Sequence, residues 1–135
     1  MTLVFHDLDE QPIMRRRLDR FLEAAEVPGA GRHGAALIAT ELFTNAIEHG
    51  DADEVRVVVE IDDHITLAVS HPSRNGEPVP LLTVMPPPTS ERGRGLAIVN
   101  RLAVHVDSDV VGGWQRTEAV LALRGDQSAE AGRAA

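Results

Sequence analysis

The sequence predicts an α/β fold, a two-layer sandwich with helices on one face of a mixed sheet. Three observations carry this prediction. Two early stretches place apolar residues at helical spacing. Two later pairs of β-branched runs are each joined by turn residues. A short apolar helix separates the pairs, giving the order β-α-α-β-β-loop-α-β-β. At 135 residues the chain fits one domain with its own core. That domain is expected to span 1–123, and the polar, Ala- and Gly-rich residues 124–135 are expected to form a disordered tail.

Each element has a local reason. Thr2–Phe5 reads as a short strand, and Pro12 suits the first turn of a helix. Met14, Leu18, Phe21, Leu22 and Ala25 then recur at helical period, so one face of 12–26 is apolar. The run from Val27 to Gly31, with Pro28 and Gly29, breaks that helix. A second helix is expected over 32–49, with Ala36, Leu37, Ala39, Leu42, Phe43 and Ala46 as its apolar positions and Gly50 as its stop. Glu54–Ile61 and Ile65–Ser70 form a hairpin about Asp62, Asp63 and His64. Residues 71–90 hold six prolines and read as a long loop, a length that usually has a function. Leu96–Leu102 is an apolar helix. Val104–Val111 and Thr117–Leu123 are strands joined across Gly112-Gly113.

Composition excludes several classes of function. There is no Cys, so disulfides, thiolate catalysis and zinc–sulfur sites are out. All 13 basic residues are Arg, which excludes a catalytic Lys and assigns any cationic phosphate contact to Arg. The net charge of −8 and the absence of a basic run longer than Arg15-Arg16-Arg17 argue against a general nucleic-acid binder. That charge is compatible with a basic protein partner without requiring one. Aromatic residues are too few for base stacking. No apolar run spans a membrane and no leader precedes the domain, so a cytoplasmic location is expected. The six His, at 6, 33, 49, 64, 71 and 105, lack ligand-type spacing, which disfavours a metal enzyme.

Two constellations carry chemistry. Residues 41–50, ELFTNAIEHG, place Glu41, Asn45 and His49 four apart on an otherwise apolar helix. Four-residue spacing keeps side chains on one face, roughly 6 Å apart along the axis. A wetted helix edge is the bland reading of such a stripe. The alternative is a ligand, because an amide oxygen and a carboxylate suit a hard cation such as Mg²⁺ and an attacking water. Arg92-Gly93-Arg94-Gly95 then opens a helix directly after the long loop. A helix start offers free N–H groups and the positive dipole end, and glycines let phosphate oxygens approach the backbone. Together they read as a metal-and-water helix facing a phosphate-cradling turn.

With these residues in place, the chain resembles the GHKL ATPases, which share the histidine-kinase-like (Bergerat) ATP-binding fold. Glu41 and Asn45 within ELFTNAIEHG look like the family's N box, and Arg92-Gly93-Arg94-Gly95-Leu96 looks like its second glycine box. Gly112-Gly113 followed by Thr117 resembles its closing strand turn. The small size is similar to the anti-sigma-factor serine/threonine kinases of bacterial partner-switching systems. The resemblance implies ATP and Mg²⁺ as ligands. Asn45 would hold the metal and Glu41 would be the general base. Gly93, Gly95 and the amides around Leu96 would hold phosphate oxygens, with charge from Arg92 or Arg94. Thr117 and His49 would line the pocket, although His49 also reads simply as a polar last-turn residue. By the same resemblance, the partners would be a sigma factor and an antagonist protein, and the chain would be a homodimer.

One departure divides the functional readings. The family places an Asp after the hairpin's second strand to accept the adenine amino group, whereas here His71 stands at that point. Ser73 and Asn75 stand where the family has glycines, and the Pro-rich 76–90 segment replaces its lid. A neutral His offers one acceptor nitrogen and no full negative charge. Two readings follow. In one, the chain is an ATP-dependent protein serine kinase that also binds a sigma factor. In the other, it is a protein-binding module on the same fold with weak or lost nucleotide binding.

Overall fold

A computed structural model describes residues 1–49, 54–73 and 99–124. Its elements are β1 (Thr2–Phe5), a 3₁₀ turn (Leu8–Glu10), α1 (Gln11–Ala24), α2 (Gly29–His49), β2 (Val55–Ile61), β3 (His64–Pro72), β4 (His105–Val111) and β5 (Trp114–Ala122). Residues 99–102 are helical as well. Residues 74–90 of the expected loop, the expected glycine box at 92–96, Gly50 and the expected tail beyond Arg124 lie outside the described residues.

The five strands run in the order β1-β2-β3-β5-β4. Among the described residues every pair is antiparallel, so the two-layer α/β architecture stands but the sheet described is antiparallel where a mixed one was expected. The cause is connectivity. A single-helix crossover returns a strand parallel to its neighbour, but two helices separate β1 from β2. The crossover after β3 delivers β4 to the sheet edge, and its hairpin partner β5 fills the gap beside β3.

Strand alternation sends one set of side chains inward. Val57 faces Val69, Leu67 faces Ala119 and Ile65 faces Leu121, and all six are buried. The helix layer covers this face. α2 packs on β2, β3 and β5, and α1 packs against α2. Met14, Leu18 and Leu22 of α1 and Ile38, Ala39, Leu42 and Phe43 of α2 join the sheet residues in one core. Phe5 and Phe43 meet edge to face with centroids 5.6 Å apart. Each large apolar side chain so buried contributes about 1.5–3 kcal/mol of transfer free energy.

Three boundaries differ from the sequence expectation. α2 begins at Gly29 rather than 32, because Pro28 ends the turn and its carbonyl already accepts from Arg32 N at 3.0 Å. Gly31 is inside the helix for a packing reason: a Cβ there would stand 1.9 Å from the carbonyl oxygen of Leu123. β3 continues through Pro72, so His71 belongs to a strand and not to the loop. β5 starts at Trp114, immediately after Gly112 and Gly113, whose φ values of 59° and 80° suit a two-residue hairpin turn.

Candidate functional site

The inner face of the sheet changes chemistry along its length. Next to the apolar pairs, Val69 faces Thr117 and Ser108 faces Thr117; one row further, His71 faces Gln115. His71, Gln115 and Thr117 are only 2%, 1% and 5% exposed, although a core normally excludes such groups unless they are hydrogen-bonded. Gln115 Nε2 donates to Ser108 Oγ at 2.9 Å, and Ser108 Oγ lies 3.1 Å from Thr117 Oγ1. The three side chains form a hydrogen-bonded row across β5 and β4.

His71 has a defined tautomer. Its Nδ1 lies 3.0 Å from the carbonyl oxygen of Pro72. A carbonyl only accepts, so Nδ1 carries the proton and Nε2 is left as an acceptor in the neutral ring. Burial holds the ring's pKa below the ordinary 6.5, and the Pro72 hydrogen bond opposes this less strongly. The ring is therefore neutral at pH 7.

The helix above supplies the acid and amide groups. Glu41 and Asn45 are half-buried on α2, which packs on this same sheet face. Burial raises the Glu41 carboxyl above its ordinary 4.5, and the Glu48 charge raises it further. Glu48 is seven residues on, two turns along the same face. A carboxylate moved toward neutral pH is a better proton acceptor, as a general base requires. Gln11 Nε2 donates to Thr44 Oγ1 at 3.0 Å, tying the start of α1 to this part of α2.

Of the residues expected at the site, Glu41, Asn45, His71 and Thr117 therefore lie on the helix and the strands that face each other. His49 ends α2, but its side chain lies outside the described residues, as do Arg92, Gly93, Arg94, Gly95 and Leu96. Sequence reasoning missed Ser108, Gln115 and Glu48. A β5 strand begun at Trp114 would have put Gln115 beside Thr117 by period-two alternation. Glu48 could have been found at the i+7 position of the stripe. Among the described residues no cluster of three His, Asp or Glu could hold a metal. Asn45 fits Mg²⁺ only as a single oxygen ligand to an ion that arrives with phosphates and keeps its waters.

Comparison with known proteins supports this fold. The model of the family described as histidine kinase-like ATPase domain matches residues 6–121. Among solved structures, the chain is similar to the Acinetobacter baumannii histidine kinase AdeS, with 15% identity and a TM-score of 0.51. That match covers 68% of this chain and 47% of the other, so the chain spans about half the length of that structure. No curated protein matches. None of the described helices is long and apolar enough to cross a membrane. By the extent of the family match, this chain belongs to the histidine kinase-like ATPase domain family.

Proposed function

We propose that the chain is a cytoplasmic ATP- and Mg²⁺-binding regulator that acts as a protein serine kinase in partner switching, with a sigma factor and an antagonist protein as partners. The observation that carries the reading is one juxtaposition. The Glu41–Asn45 stripe lies on the helix that covers a sheet face whose buried end is polar at His71, Gln115 and Thr117. A polar stripe on the covering helix together with a buried polar row on the covered sheet suits a ligand site better than a wetted helix edge.

Each residue has a role in this reading. Asn45 would hold Mg²⁺, which when bound neutralises charge on the phosphate oxygens. His71 Nε2 would accept from the adenine amino group, and Thr117 would line the base pocket. Gly93, Gly95 and Leu96 would supply backbone N–H groups to the phosphates, with Arg92 and Arg94 adding charge. Glu41 would take the proton of a substrate serine. As the serine oxygen bonds to the γ-phosphorus, the bond to the bridging oxygen breaks and ADP leaves with that electron pair.

Titration calorimetry with ATP and Mg²⁺ tests the site. Saturable heat that Asn45→Ala abolishes is the expected result, and no heat at millimolar ATP would sink it. One observation favours a second reading, a binding module that has lost nucleotide: the neutral His71 where the family has a carboxylate. His71→Asp separates the two. Tighter ATP binding places the base at residue 71, while an Asp variant that still gives no heat leaves the binding module. If ATP binds, radiolabel transfer to a candidate antagonist protein distinguishes kinase from passive binder.

A further inference from the structure

On the side of the helix layer away from the sheet, α1 and α2 enclose an open groove of about 860 Å³. Its α1 wall carries Arg15, Arg16, Asp19, Arg20 and Glu23, and its α2 wall carries Arg32. These α1 positions recur at three- and four-residue spacing, so they form one continuous face. From Pro12 to Glu23 that wall is about 16 Å long, the reach of roughly five extended residues.

The groove is opposite in sign to the chain. The whole molecule carries −8. Here four guanidinium groups stand against two carboxylates, and one carboxylate is already engaged, with Asp19 Oδ1 3.2 Å from Arg32 Nε. No ion pair holds Arg15, Arg16 or Arg20 among the described residues. On the outer face of the sheet, by contrast, Arg56 pairs with Glu54 and Arg116 pairs with Glu118. Three like charges gathered along one groove without partners repel one another. Arg is the only basic residue in this chain, so its abundance means little, but its concentration along one concave wall is a structural fact.

We infer that this groove docks an acidic segment of a partner protein, with the Asp or Glu side chains of that segment paired to Arg15, Arg16 and Arg20. Guanidinium groups suit carboxylates because their planar forks bind them bidentately. A nucleic acid fits less well. A long polyanion would run past the short groove onto a chain of net charge −8, and the groove offers no Phe, Tyr or Trp for stacking. The groove is also separate from the proposed nucleotide site. On α2, Ala36 lines the groove and Glu41 belongs to the stripe, and five residues turn the helix by about 140°. The proposal therefore stands or falls independently of ATP.

A labelled ten-residue poly-glutamate peptide, titrated by fluorescence anisotropy at low ionic strength, tests it on the full chain. Saturable binding is expected, weakened about tenfold by Arg16→Glu with Arg20→Glu. Asp19→Asn removes a groove carboxylate and releases Arg32, so it should tighten binding. Arg17→Glu is the control: it makes the same charge change per residue at an exposed position of the same helix outside the groove, and it should change binding little. Because Arg16 and Arg20 are exposed, the variants are expected to melt like the parent, and the Asp19→Asn gain does not depend on a disruptive change. Three results would overturn the proposal: no saturable binding, equal weakening by Arg17→Glu, or tighter binding of a single-stranded oligonucleotide than of the peptide.

Discussion

The two ends of the inner sheet face are built from the same two neighbouring strands, β3 and β5, and covered by the same helix, yet they hold opposite chemistry. At one end Ile65, Leu67, Ala119 and Leu121 form a dry apolar patch. At the other, His71, Gln115 and Thr117 occupy equivalent inward positions at comparable burial. Burial alone therefore does not separate core from site in this molecule. The difference is what each side chain needs. The apolar end is satisfied by contact, while the polar end has to find hydrogen bonds and does so through Ser108 and the Pro72 carbonyl. Stability concentrated at one end leaves the other end able to carry groups that a pure core would exclude.

The sharpest test of that division is a pair of substitutions. Leu67→Ala at the apolar end should lower unfolding free energy by about 2–5 kcal/mol through lost transfer energy and a residual cavity. Gln115→Leu at the polar end should change it by only about 1 kcal/mol in either direction, because Ser108 keeps Thr117 as a partner. Denaturant midpoints measure both. If Gln115→Leu were as damaging as Leu67→Ala, the polar row would be holding the fold together and the contrast would collapse.

A second test concerns how α2 sits across both ends. Gly31 lies where the helix touches the end of β5, and an added Cβ would meet the Leu123 carbonyl. Gly31→Ala should destabilise by about 1–3 kcal/mol, since neither backbone can yield cheaply. Gly29, two residues earlier, has open space around it. Gly29→Ala should be neutral or stabilising by roughly 0.4–1 kcal/mol, through reduced freedom of the unfolded chain. Thermal melts of the two variants should move apart, and matched shifts would mean that α2 is not held against β5 at this point.

Much of this was legible in the sequence. Helical spacing located α1 and α2, and the β-branched runs located both hairpins, because burial of one face writes itself into the order of residues. The stripe of Glu41 and Asn45 was visible for the same reason in reverse, as polar residues where the period demands apolar ones. What could not be read was anything set by long-range pairing. Whether a returning strand lands parallel or antiparallel depends on where the crossover delivers it, and β5 takes the place beside β3 only in three dimensions. Gln115 and Ser108 belong to that class. Each is an ordinary polar residue in its own strand, and only the register that puts Thr117 opposite Ser108 and Gln115 opposite His71 brings them together. Gly31 looked like a helix breaker because its reason for being small is a carbonyl ninety-two residues away along the chain.

The smallest expected effect on stability is also the most diagnostic of a site. Burial and the nearby Glu48 raise the Glu41 carboxyl above its ordinary 4.5, so the folded chain holds that proton more tightly than the unfolded chain does. The stability this contributes is fully present below pH 4.5 and is lost as pH rises through the raised value. At neutral pH, keeping Glu41 ionised therefore works against folding. His71 has the opposite slope: its lowered value makes stability fall as pH drops below about 6.5, so the parent curve alone would blur the two. Glu41→Gln isolates the carboxyl. The variant should match the parent near pH 4 and be modestly more stable at pH 7.5; under the proposed kinase function it should also keep ATP binding and lose about 10²–10⁴-fold in phosphoryl transfer. A variant less stable at pH 7.5 would mean that the carboxylate is paired for structure. A variant more stable at pH 7.5 would mean that the ionised carboxylate costs the fold stability, as a group held for the proposed proton transfer would.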